Sequence, residues 1–137
     1  MWDPASETAP DPRPHVGLAQ ELLKVLWAFR HYIRDIKVSF YEARLKIRVA
    51  FFCGFFLDIF YNTRTGRYSF ALIGPKGSII RWDNASHHPY IPTYPHHFHS
   101  ENGKVRPSDL MGDPARDLPK VMTRVVEFVH ERCFSNN

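Results

Sequence analysis

A single α+β domain, with helices packed on one face of an antiparallel sheet, is predicted by three features of the sequence. An apolar stripe of helical period opens the regular part of the chain. Short alternating runs separated by turn residues follow, and a second helical stripe closes it. At 137 residues the chain suits one domain with one core.

Residues 1–15, "MWDPASETAPDPRPH", hold four prolines and almost no apolar periodicity, so they are expected to form a disordered arm ahead of a folded domain at 16–137. The stretch is acidic and proline-rich, unlike a secretory or transit peptide. Leu18, Leu22, Val25, Leu26 and Phe29 then recur at three- and four-residue steps, predicting an amphipathic helix from about 17 to 32.

The period next changes to two. Ile36, Val38 and Phe40 alternate with polar neighbours, as do Leu45, Ile47, Val49 and Phe51 on the opposite parity. The parity switch at 42–44 marks a turn or bulge, because a slip of one residue would turn the apolar face outward. The runs "FFLDIFY", "RYSFALI" and "SIIRW", separated by "NTRTG" and "GPKG", continue as hairpins of a meander, giving about five strands between 36 and 82. From 83 to 114 no regular element is expected. A closing helix is signalled by Asp117 as cap, Pro119 in the first turn, and Leu118, Val121, Met122, Val125, Val126, Val129 and Cys133 along one face.

The most apolar run, "VAFFCGFFLDIFY", is broken by Gly54 and Asp58 and is too short to cross a bilayer, so no membrane partner is expected. Cys53 and Cys133 have neither zinc nor redox spacing. They read as two reduced, partly buried thiols, and with no signal peptide they point to the cytoplasm. A net charge of +4 suits a polyanionic partner but falls short of a basic tail or stripe.

The segment "RWDNASHHPYIPTYPHHFHS" (81–100) carries five of the eight histidines. Asp83-Asn84 reads as an Asx turn ending a strand, and Asp83 could also orient an imidazole by accepting its ring N–H. Pro89, Pro92 and Pro95 recur at the three-residue period of polyproline II. Fully extended at ~3.1 Å per residue, His88 and His96 would stand about 25 Å apart, so they share a site only if the loop doubles back.

Three uses of these imidazoles stay open. In the first they are structural, bonding loop carbonyls and packing on Tyr90, Tyr94 and Phe98. In the second, His97 and His99 form an H-x-H pair on one side of an extended segment and hold zinc or manganese with His87, His88 or Asp83 as third ligand. In the third, favoured here, His87, His88, His96, His97 and His99, oriented by Asp83, supply the acid and base for cleavage of a phosphodiester, with no metal or other cofactor. Arg81, Lys104 and Arg106 would then balance phosphate charge, and Tyr90 and Tyr94 would stack on unpaired bases of an RNA. The rival class is a non-enzymatic loop that docks a partner.

The same segment resembles the TumE-like family of toxin–antitoxin components. In that family a strand ends in an arginine-aromatic-Asp-Asn-Ala turn, followed by His-His-Pro and then Thr-aromatic-Pro-His-His-x-His. The matching residues are Arg81, Trp82, Asp83, Asn84, Ala85, His87, His88, Pro89, Thr93, Tyr94, Pro95, His96, His97 and His99, with a weaker continuation at "VRPS" (105–108). The likeness is dense over about thirty residues. It implies a toxin-like protein neutralised by direct binding of a cognate antitoxin. The ribonuclease reading rests on the residues themselves, and self-association is left open.

Overall fold

The computed structural model describes residues 13–134, so the expected arm falls, over 1–12, outside the described residues. Helix α1 spans Arg13–Trp27, earlier at both ends than its apolar stripe suggests. It closes with the Ala28 and Phe29 amides bonded to the Val25 and Leu26 carbonyls, and a short 3-10 turn, Arg30–Tyr32, leads into the sheet. Phe29 keeps the helical spacing without belonging to the helix.

The strands are β1 (Asp35–Tyr41), β2 (Arg44–Ala50), β3 (Phe56–Asn62), β4 (Tyr68–Gly74), β5 (Gly77–Asp83), β6 (His97–His99) and β7 (Val105–Pro107). They form one antiparallel sheet in sequence order, and α2 (Pro114–Phe134) follows. The expected helix–sheet–helix order holds, but the strand count was short: the described residues form seven strands, not five. β1–β5 fill the region where five were read. β6 and β7 have three residues each, too few to show alternation, and sit inside the segment expected to lack regular structure.

The switch at 42–44 is a two-residue turn, with Tyr41 opposite Arg44 and Glu42 at φ 53°. Helix α2 begins at Pro114, where a proline costs no intrahelical bond, and the Asp113 carbonyl accepts the Arg116 and Asp117 amides. Asp117 is therefore not the cap. Buried inside the first turn, it accepts the Met111 and Gly112 amides at 3.0 and 2.9 Å and so pins the incoming loop. Pro119 lies within the helix.

Leu22 and Leu26 of α1 and Leu118, Val121, Met122 and Val125 of α2 are buried against Leu45, Ile47, Leu57, Ile59, Phe70, Leu72, Ile80 and Trp82 of the sheet. All of these sheet residues share one face, because side chains alternate along each strand. The register places another set on the opposite face. One row there runs Lys46–Phe60–Ser69–Asp83–His97, and the next runs Arg48–Asp58–Ala71–Arg81–His99.

The cysteine reading is overturned: Cys53 and Cys133 form a disulfide, with Cα atoms 5.8 Å apart. Cys53 sits in the β2–β3 turn, and α2, about 31 Å long at 1.5 Å per residue, delivers Cys133 to it. The inference of a cytoplasmic location from reduced thiols loses its basis. Among the described residues, no helix is long and apolar enough to cross a membrane.

Candidate functional site

The site grows from the end of β5. Asp83 is buried, yet every oxygen of its carboxylate is used. Oδ1 accepts the Ala85 amide at 3.0 Å, the Asx turn that the Asp-Asn pair predicts, and Oδ2 accepts Arg81 Nε at 2.9 Å. The same carboxylate faces two imidazoles of β6, with His97 Nε2 at 2.7 Å from Oδ1 and His99 Nε2 at 3.3 Å from Oδ2. Asn84 locks the corner: its side chain accepts the Tyr68 amide and donates to the Gly66 carbonyl.

The His-Pro loop does double back. It is a chain of tight turns rather than an extended ridge, closed by amide bonds from Ile91 to His88, Tyr94 to Ile91 and His96 to Thr93, with a cis peptide at Tyr94-Pro95. Thr93 clasps it. Its hydroxyl donates to the His96 carbonyl at 2.6 Å and accepts the Ser108 amide at 3.0 Å. As a result His88 packs on His97 with ring centroids 4.9 Å apart and on His99 at 5.8 Å, while His97 and His99 stand 4.9 Å apart.

The three imidazoles are not equivalent. His97 is buried, and its Nδ1 donates to the Pro95 carbonyl at 3.0 Å while Nε2 faces Asp83, so both ring nitrogens are engaged. His88 is half-buried, its Nδ1 meets the Tyr90 hydroxyl at 2.8 Å, and Nε2 remains available. For His99, burial holds the imidazole below its ordinary value, helped by His97, Arg81 and His88 and opposed by Asp83. Its Nε2 faces the carboxylate, which leaves Nδ1 as the lone-pair nitrogen of a neutral ring.

These groups open onto a concavity of about 470 Å³, lined by Arg67, Arg81, Asp83, His87, His88, His97 and His99 among others. His87 is on the rim, exposed. His96 is turned away: its Nδ1 receives the Tyr68 hydroxyl at 2.9 Å, and its ring edge abuts Gly112. Burial, with the Asp117 and Asp83 carboxylates, pushes the Tyr68 phenol up, so it stays protonated and donates. Arg106 lies in the register row of Trp82 and Phe98, on the helix-covered side, and Lys104 sits in the β6–β7 turn. Tyr90 borders the cluster through His88, while Tyr94 is exposed elsewhere on the loop. Arg67 was missed by sequence reasoning, being remote from the loop and next to a turn glycine.

As a metal centre, the trio is His88, His97 and His99, whose candidate ligand atoms lie within 4.8 Å of one another, so of the three third ligands that the sequence offers, His87, His88 and Asp83, it is His88 that groups with the pair. The nitrogen that turns to Asp83 on His97 is the one an ion would need.

Fold and site together define a small α+β protein whose open sheet face carries a carboxylate-anchored imidazole cluster. The family model described as Toxin TumE matches residues 22–129, most of the chain and all of this site, and the protein belongs to that family. No curated protein and no solved structure matches the chain.

Proposed function

We propose that this toxin-family protein cleaves RNA by metal-independent acid–base catalysis, with His99 as base and His88 as acid. One observation carries the reading: two imidazoles with an available ring nitrogen meet over Asp83 and Arg81 in an open concavity, and burial keeps one of them neutral. His99 Nδ1 takes the proton of a ribose 2′-hydroxyl. The 2′-oxygen bonds to phosphorus, the bond from phosphorus to the 5′-oxygen breaks, and His88 Nε2 protonates the departing oxygen. Arg81 sets a positive charge beside the phosphate, and His97, with no nitrogen to spare, is a positioning residue. An antitoxin that covers this concavity is the proposed partner.

RNA incubated with the protein in EDTA should give 2′,3′-cyclic phosphate and 5′-hydroxyl ends. Loss of His88 or His99 (H88A, H99A) should slow cleavage about a hundredfold or more, the usual scale for a general acid or base. Products with 5′-phosphate ends would exclude this chemistry.

The 4.8 Å grouping of His88, His97 and His99 supports a second reading, a zinc or manganese centre. It ranks lower because nitrogens on one tetrahedral ion at ~2.0 Å stand only about 3.3 Å apart, and His97 would have to leave Asp83. Cleavage abolished by chelator and restored by zinc or manganese would reverse the order.

A further inference from the structure

The concavity at the histidines is not isolated. Beside it lies a second one of about 210 Å³, lined by Arg44, Phe60, Asn62, Arg67, Ser69, Arg81 and neighbours, and the two share Arg67, Arg81, Asp83 and Ala85. The sheet register explains the continuity. Arg44 stands opposite Asn62 at the end of β2, the Asn62 amide bonds the Arg67 carbonyl across the β3–β4 turn, and Phe60 faces Lys46 on one side and Ser69 on the other. From His97 to Lys46 the row crosses four strand spacings, about 19 Å at ~4.8 Å each.

Charge along this face is not neutralised. Arg48 pairs with Asp58 and Arg81 with Asp83, but among the described residues Arg44, Arg67, Lys46 and Lys37 have no carboxylate partner. An aromatic ring, Phe60, stands half-buried in the middle of these cations, and the same face also carries Tyr41 opposite Arg44 and Phe56 beneath Arg48. Unpaired cations around an outward aromatic on an open sheet suit a single strand, whose phosphates meet the cations and whose unstacked base meets the ring. A duplex offers no free base face to Phe60, and an acidic protein segment has no base to lay on the ring.

We infer that single-stranded RNA lies across the sheet face opposite the helices, its phosphates held by Arg44 and Arg67 and one base on Phe60, so that the chain enters the histidine cluster over Arg81. The inference rests on the RNA reading above and adds where, and in what form, the substrate binds.

The test separates binding from cleavage by using a labelled 2′-O-methyl oligouridylate, which lacks the attacking hydroxyl, with binding read by fluorescence anisotropy over a salt series. Replacing both arginines (R44A with R67A) should weaken binding about tenfold or more and lower the salt slope by about 1.4, two phosphates at ~0.7 each for a single strand. Both side chains project from the surface, and Arg67→Gln alone, with a smaller loss, guards against an unfolded double variant. Binding by the double variant equal to the wild type would overturn the inference, as would a wild type that does not bind the strand. Loss of polyglutamate binding with RNA binding intact would overturn it too, marking an acidic-protein surface. Arginine-dependent binding by a protein that leaves natural RNA uncut would uphold this inference while removing the catalytic reading.

Discussion

Asp83 is a buried anion that orders a turn, an arginine and two imidazoles with one carboxylate. Removing it leaves the His97 ring buried against nothing, so Asp83→Ala should lower stability by about 3 kcal/mol, the scale for losing one partner of a buried pair, as read by urea unfolding. A loss under about 1 kcal/mol would mean that the pair is not formed. His99 has the opposite sense. Its folded value lies below the ordinary 6.5, so as pH falls through that value the unfolded chain binds the proton first and stability declines. His99→Gln should flatten that part of the stability curve, whereas an unchanged slope would place the ring in solvent. At this scale the sequence was partly legible. Asp83-Asn84 and the H-x-H pair declare a turn and a shared face, but whether His87 or His88 joins them depends on the loop's path, which proline spacing leaves open.

Between residue and fold stand the elements that hold β6 against β5. The Thr93 hydroxyl binds the His96 carbonyl and the Ser108 amide, coupling the histidine turn to the segment before α2. Thr93→Val keeps the shape and strands both groups. It should cost about 2 kcal/mol, two hydrogen bonds at ~1 kcal/mol each, and slow RNA cleavage with it. Full activity in that variant would show that β6 is held by the sheet alone. The disulfide acts at the same scale, closing a sequence separation of 80 residues between the β2–β3 turn and the end of α2. Relative to the oxidised protein, the variant with both cysteines changed to serine should lose about 2–4 kcal/mol, and thiol titration of the native protein should find no free cysteine. Neither feature could be read beforehand. β6 and β7 are too short for periodicity, and a cysteine pair this far apart becomes a neighbour pair only once α2 has been laid across the sheet.

For the whole molecule, the helices bury one face of the meander, and among the described residues no helix lies on the other. Alternation in "RLKIRVA" gave both halves of that division: Leu45, Ile47 and Val49 go to the core, and Arg44, Lys46 and Arg48 go outward. The net charge of +4 looked too dispersed to form a stripe, because its members lie on β2, the β3–β4 turn and β5 and meet only across the sheet. Expressed alone, the protein should arrest growth, and the H88A and H99A variants should not, with protein levels matched by immunoblot. Arrest that persists in both variants would locate the toxicity elsewhere. The central claim, that two imidazoles transfer the protons without a metal, is tested most directly by the pH dependence of kcat/KM for RNA cleavage in EDTA. A bell is expected, with its acidic limb below pH 6.5 because burial holds His99 down, and that limb should vanish in H99A. An acidic limb at or above 6.5, or a profile that collapses with chelator and returns with zinc or manganese, would contradict it.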